Sequence, residues 1–455
     1  MNQTDSRNDM TTGPIWKKII LFALPIMWGN LFQQLYNVID SLIVGNFLGK
    51  DALAAVSSSG SIIFLLVGLF SGIFIGAGVV ISRFFGAKDY KNMQLAIHTS
   101  IAFALIFGVI LTFIGILFIP TLLRWMDTPE SVLPNSILYF RIYFGGVLSM
   151  ILYNTASGIF QAVGDSKHPL YYLIVSSVVN VVLDLLFVAV LDFGIAGAGL
   201  ATVISQAVSA ILGFRHLMKT DGPSRVYLSK IKITPIMLKQ ILTLGIPSGL
   251  QNSIISIANI VVQSNINAFG AMAVAGCGAY SKVEGFGFLP ITSFALSMTT
   301  FIGQNLGAKE YERAKKGSVF GIFATIILAE IVGVLIYIFS PLLISGFSQV
   351  PEVIAYGTLQ ARTVTLFYFL LAFTHCIAGI LRGAGRSIIP MIVMFVCWCA
   401  IRITYVTVIT HFVPGIQVVF WAYPFTWSLS SICFLIYYLK ADWLHYYDQK
   451  AQNQK

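Results

Sequence analysis

The sequence predicts an all-α polytopic membrane protein: twelve transmembrane helices in two six-helix lobes related by a pseudo-two-fold axis along the membrane normal. Three observations predict it. The chain is 57% hydrophobic and only 10% charged, where an ordinary soluble domain carries about 25% charge. Its basic residues are concentrated in the termini and alternate loops. Its two halves repeat one another at a fixed offset.

A membrane span needs ~20 predominantly apolar residues. Such segments lie near 15–46, 52–84, 93–118, 130–161, 169–191 and 195–217, and again near 236–268, 272–305, 314–339, 352–382, 388–411 and 416–440. The run 15–46 is longer than a span requires, so it is expected to start at the interface, tilt or bend, and Pro25 offers a cause for a bend. The polar stretch MNQTDSRNDMTTGP runs straight into the first apolar segment with no small-residue cleavage site, and no cleaved signal peptide is expected.

Of the 28 lysines and arginines, 22 fall in the termini and even-numbered loops, and Lys50 and Arg124 alone fall in odd-numbered ones. Arg141, Lys282, Arg362 and Arg402 remain inside apolar segments. The positive-inside rule then places both termini and the central loop in the cytoplasm of a plasma-membrane protein. The net charge of +10 is thus a topology signal and calls for no nucleic-acid partner.

FGAKDYKN (85–92) matches LGAKEYER (306–313), and GIFQAVGDSKHP (158–169) matches GILRGAGRSIIP (379–390), both at a shift of 221. NFLGKDALAAV (46–56) matches NAFGAMAVAGC (267–277) at the same shift, and FALPI (22–26) matches LGIPS (244–248) at 222. An offset held across whole halves signals duplication. Six spans per half is an even number, so both halves face the same way, as in parallel-repeat transporters that bind substrate between halves. The expected organisation is an N-terminal lobe over 1–217, a cytoplasmic linker over 218–235, a C-terminal lobe over 236–440 and a cytoplasmic tail over 441–455.

Several chemistries find no support. The five cysteines lie in apolar segments without CxxC or zinc spacing and read as small buried hydrophobes. GQNLGAK (303–309) lacks the glycine spacing and the Ser or Thr of a phosphate-binding loop. No metal-ligand cluster or intramembrane nucleophile–base pair points to an enzyme.

The intramembrane polar residues carry the functional signal, because a charged group at the bilayer centre is expensive and by default functional. Asp40 lies on segment 1 with Gln33, Tyr36 and Asn37 at spacings of seven, four and three, which puts all four on one helical face. Asp184 lies on segment 5 with Asn180 four residues earlier, and segment 6 adds Thr202 and Gln206 at i, i+4. Two carboxylates with amide and hydroxyl oxygens suit a hard cation such as Na⁺, and equally a proton-sharing pair. The structural alternative is that Arg141 pairs with these acids and merely holds helices together. At the repeat offset Asn180, Asp184 and Thr202 correspond to Ile401, Tyr405 and Tyr423, and Asp40 to Val261 or Val262. The acids are therefore specific to the first half, which packing alone does not demand. Tyr139, Met150, Asn154 and Phe160 on segment 4 are read as cavity lining or, equally, as lipid-facing or core. Lys282, Glu284, Glu330, Arg362, His375 and Arg402 form the second half's buried polar set. Arg362 matches Arg141, His375 reads as a hydrogen-bonded packing residue, and the set supports no mechanism. Gly68, Gly72 and Gly76 form a small-residue ladder for close helix packing.

The duplication, the Pro near the start of segments 1 and 7, GAKDY/GAKEY, and QAVGDSKHP/RGAGRSIIP together resemble the multidrug and toxic compound extrusion (MATE) family over nearly the whole chain. An acid on segment 1 with Asn180, Asp184 and Thr202 resembles its DinF-like branch. That resemblance implies a cation-coupling site at Asp40, Asn180, Asp184 and Thr202, able to take Na⁺ or H⁺, with Gln33, Tyr36, Asn37, Tyr139, Met150, Asn154 and Gln206 toward the substrate cavity. The NorM-like branch places key acids on segments 7 and 10. Here segment 7 has none, and segment 10 has only Glu352 at its outer start, which favours N-lobe coupling. The implied activity is antiport: a monomer with no cofactor exports lipophilic, often cationic, organic molecules against H⁺ or Na⁺. A lipid or lipid-linked oligosaccharide flippase of the wider superfamily is the alternative, disfavoured because buried arginines suited to a pyrophosphate are few.

Overall fold

The computed structural model describes residues 9–125, 128–413 and 415–452, with side chains between 50 and 69 described only at positions 52, 56 and 68 and none at 450–452. Among the described residues there is no strand. In chain order the helices are α1 (Ile15–Leu48), α2 (Lys50–Gly86), α3 (Tyr90–Trp125), α4 (Leu133–Gly145), α5 (Val147–Ala162), α6 (Lys167–Asp184), α7 (Gly194–Lys219), α8 (Pro235–Asn267), α9 (Ala271–Gly307), α10 (Tyr311–Ser345), α11 (Pro351–Val364), α12 (Tyr368–Gly383), α13 (Ile388–Met394), α14 (Arg402–Phe412), α15 (Ile416–Lys440) and α16 (Tyr446–Gln452). π-helical turns at Leu185–Val190 and Phe395–Ile401 continue α6 and join α13 to α14.

All twelve predicted segments fall on these helices. Among the described residues ten spans are long and apolar enough to cross a membrane, and the pair α4–α5, bent by 47°, makes an eleventh. Gly146 occupies the bend, where a Cβ would collide with the Val203 side chain of α7. Two features are absent from the hydropathy pattern: the bend within segment 4, and the short 3₁₀ turn Thr365–Phe367 that divides segment 10 into α11 and α12.

The chain divides into two compact units. One contains Trp28–Gly245, the other Met10–Met27 with Ile246–Lys455. Both division points fall inside a helix, within three residues of Pro25 in α1 and Pro247 in α8. A helical proline removes one backbone hydrogen bond and permits a bend there.

In the first unit the core runs from Phe70 and Ile97 through Phe140, Phe144, Ile151 and Phe160 to Ile241. A smaller cluster of Ile43, Val44, Val132, Tyr139, Val188, Ile195 and Ala198 joins α1, α4, the π turn after α6, and α7. In the second unit Tyr280, Phe294, Met298, Phe301, Tyr368, Trp398, Trp427 and Phe434 form the core with Ile19 and Phe22 of the N-terminal half of α1. All five cysteines are free. Cys277, Cys376 and Cys397 are buried as expected, Cys399 is half-buried and Cys433 is exposed.

Candidate functional site

The site lies in the first unit, where α1, α4, α6 and α7 bring together side chains that are remote in sequence. Asp40 on α1 is 8% exposed, and Asn180 and Asp184 on α6 are 1% and 0% exposed. Asp184 is the last residue of the regular α-turns of α6 before the π turn. Such turns widen the helix and recur at functional positions. The Asp40 and Asp184 carboxyls face each other closely enough for one proton to join them in a carboxyl–carboxylate hydrogen bond.

The polar atoms around this pair are not satisfied by the protein. Asp40 Oδ1, both Asp184 oxygens and both amide atoms of Asn180 are buried without a hydrogen-bond partner. Orphaned buried groups cost about 1–3 kcal/mol each. Thr202 is buried on α7, its hydroxyl donating to the Ala198 carbonyl (3.1 Å) and keeping lone pairs free. Ser176 of α6 donates to the Ser205 carbonyl (2.7 Å), fixing α6 against α7 near Asn180. Hard oxygens left without partners beside a carboxyl pair fit the binding of a proton or a small hard cation.

The Arg141 alternative fails. Arg141 is exposed, and the ion pairs Asp165–His168, Asp221–Arg225 and Asp442–His445 do not involve the buried acids.

Tyrosines wall the pair. Tyr36 and Tyr139 interact electrostatically with both Asp40 and Asp184, and Tyr143 with Tyr36 and Tyr139. The Tyr139 and Tyr143 rings stack with centroids 6.4 Å apart. The Tyr143 hydroxyl meets Met150 Sδ at 3.3 Å with the Gln206 side chain nearby, and the Asn154 amide donates to the Met150 carbonyl at 2.8 Å. Met150 and Gln206 thus meet at Tyr143, and Asn154 follows Met150 by one turn of α5. Gln33 and Asn37 are exposed on the Asp40 face of α1. Sequence reasoning missed Tyr143. Its spacing of four from Tyr139 puts it on the same helical face, and that was the available signal.

The second unit holds a different polar centre. Arg402, 1% exposed, donates to Thr426 Oγ1 from Nε (3.1 Å) and Nη2 (2.8 Å), and lies over the Trp398 and Tyr423 rings. Glu284 accepts from the Tyr280 hydroxyl (3.3 Å), which meets the Tyr368 hydroxyl at 3.1 Å. Glu330 accepts from the Phe369 N–H at 3.0 Å. Lys282 and Arg362 are exposed. His375 corrects the expectation of a hydrogen-bonded residue at one nitrogen: it packs edge-on against Phe288 and Trp398, and its Nε2 has no partner.

The MatE family profile matches residues 25–186 and again residues 247–408, so each half of the chain fits it separately. The chain belongs to the MATE family. MATE proteins are membrane transporters rather than enzymes. Among curated relatives, the Bacillus subtilis "Probable multidrug resistance protein YoeA" is 30% identical over 434 residues, covering 93% of each chain. The Thermotoga maritima "Probable multidrug resistance protein NorM" is 26% identical over 393 residues, covering 85% of this chain and 84% of that one. Among solved structures, an outward-facing MATE transporter superposes with a TM-score of 0.90 at 25% identity, over 96% of this chain and 98% of that one. A MATE solved in complex with MaL6 shares the fold, with a TM-score of 0.91 at 24% identity over 98% and 99%. The two profile matches begin 222 residues apart, in agreement with the repeat seen in the sequence. This MATE protein is therefore a multi-pass membrane transporter of small molecules.

Proposed function

We propose that this MATE protein is a secondary antiporter that exports lipophilic, often cationic, organic compounds, and that one site in its first unit binds the coupling ion. The observation that carries the reading is the facing pair Asp40 and Asp184, surrounded by buried oxygens without partners. The multidrug names of the relatives support the substrate class. The tyrosine wall of Tyr36, Tyr139 and Tyr143 supports it too, since aromatic faces attract cations.

In this reading Asp40, Asn180, Asp184 and Thr202 take H⁺ or Na⁺, and Gln33, Tyr36, Asn37, Tyr139, Met150, Asn154 and Gln206 face substrate, with Tyr143 added to them. Loading the carboxyl pair from outside removes the negative charge that holds a cationic substrate, and substrate loading disfavours the ion. That reciprocity is what coupling requires. The protein works as a monomer in the plasma membrane with both termini in the cytoplasm, the orientation given by 22 basic residues in the termini and even-numbered loops.

The test is efflux of a fluorescent lipophilic cation from cells expressing the wild type, Asp40→Asn or Asp184→Asn at matched membrane levels. Both variants are expected to retain the dye at the level of cells without transporter. Wild-type efflux from either variant would sink the assignment.

A further inference from the structure

The residues between α7 and α8 form a surface the transport site does not use. Segment 220–234 is fastened to the first turns of α3 by three successive side chains. Gln94 Nε2 donates to the Pro223 (2.6 Å) and Arg225 (2.9 Å) carbonyls, His98 Nε2 accepts from the Tyr227 N–H (3.1 Å), and Thr99 Oγ1 accepts from the Thr234 N–H (3.1 Å). Val226 is buried, and its N–H donates to the Leu217 carbonyl at 2.9 Å. The connector is therefore held in place, yet it presents Leu228 and Ile233, with Ile236 at the start of α8, at 68%, 37% and 68% exposure. Lys230, Lys232 and Lys239 are exposed among them. From residue 222 to 239 there is no carboxylate, and the one just before, Asp221, lies 3.8 Å from Arg225.

Position decides what covers this surface. α3 has 36 residues, about 54 Å at ~1.5 Å per residue, well beyond the ~30 Å hydrocarbon core. Its first turns, which carry Gln94, His98 and Thr99, therefore stand at headgroup level, and the connector they hold stands there too. Exposed aliphatic side chains at that depth enter the acyl boundary, while the neighbouring lysines lie among phosphates.

We propose that Leu228, Ile233 and Ile236 with Lys230, Lys232 and Lys239 form a fixed docking surface for anionic phospholipid, the lysines taking the headgroup phosphate and the aliphatic residues the upper acyl chain. This assignment stands independently of which ion drives transport.

The experiment is native mass spectrometry of the full-length protein in detergent, titrated with phosphatidylglycerol, with phosphatidylcholine, and with inorganic phosphate as competitor. Phosphatidylglycerol is expected to bind the wild type more tightly than phosphatidylcholine, and each lysine changed to glutamine is expected to weaken it by about fivefold. The variants are Lys232→Gln alone and Lys230→Gln/Lys232→Gln/Lys239→Gln together, each checked for an unchanged thermal unfolding midpoint. Leu228→Ser/Ile236→Ser is expected to weaken both lipids. The proposal is overturned by equal binding of the two lipids, by wild-type affinity in the single lysine variant, or by full displacement with equimolar inorganic phosphate.

Discussion

A carboxyl inside the bilayer costs about 2.5–3.5 kcal/mol on insertion scales, and Asp40 and Asp184 meet that cost as a pair. In the proposed reading, one proton or one small cation shared between them would neutralise a charge and bond both. Among the described residues these acids have no basic partner, and Arg141 is exposed. Their roles should therefore separate from those of the tyrosines. Tyr143→Phe leaves the carboxyl pair intact but removes the hydroxyl that meets Met150 Sδ beside Gln206. We expect it to raise the half-saturating substrate concentration about fivefold, the worth of one hydrogen bond, with ion coupling retained. Direct transport kinetics at several dye concentrations checks this. Asp165, in the loop between α5 and α6, shows a separate residue-level effect. Burial alone would raise its carboxyl. The His168 ring at 2.5 Å and the Lys167 and His168 N–H groups outweigh burial and hold it below the ordinary carboxylate value. A lowered folded value contributes stability at neutral pH that is lost as pH falls through it. The stability gap between wild type and Asp165→Ala should therefore shrink on acidification, and a gap constant down to pH ~3 would contradict the interaction.

At the scale of elements, close helix contacts rest on particular glycines. A Cβ on Gly76 of α2 would lie 2.5 Å from the Gly245 nitrogen and 2.6 Å from the Ile241 carbonyl oxygen of α8, both backbone atoms that cannot yield. The Gly68/Gly72/Gly76 ladder is legible in sequence as a packing face, but its partner helix is not. Gly76→Val is expected to cost about 1–3 kcal/mol or more by overpacking, seen as a lowered unfolding midpoint of the detergent-solubilised protein. All twelve segments were legible because apolar length is a local property. The α4–α5 bend, the π turn after Asp184 and the approach of α1 to α6 were not, because they depend on contacts between helices distant in the chain. Tyr143 shows the boundary between the two cases. Its spacing from Tyr139 was readable, but its reason for mattering, the meeting with Met150 and Gln206, required the fold.

At the scale of the whole molecule, each unit contains a half-helix from an early point in one of the two repeats. The second unit keeps Met10–Met27, and a strap of backbone secures that segment. Arg313 donates to the carbonyls of Met10 (3.1 Å), Thr12 (3.1 Å) and Gly13 (2.7 Å), and the buried Met10 N–H donates to Gln304 at 3.0 Å. Arg313→Ala is expected to destabilise by about 2–3 kcal/mol, since hydrogen bonds from a charged group are worth ~1.5–3, with the unfolding midpoint as the measure. Asp40 and Asp184 both lie in the first unit, and the repeat positions of the second half carry Tyr405 and Val261 or Val262 instead, so the duplication repeats the helical scaffold but not this carboxyl pair. The most direct test is transport by purified protein in proteoliposomes with proton and sodium gradients imposed independently. The account predicts that at least one inward gradient drives outward movement of a lipophilic cation by the wild type, and that the same gradient drives none through Asp40→Asn or Asp184→Asn. Gradient-driven movement undiminished in both variants, or wild-type movement indifferent to both gradients, would contradict it.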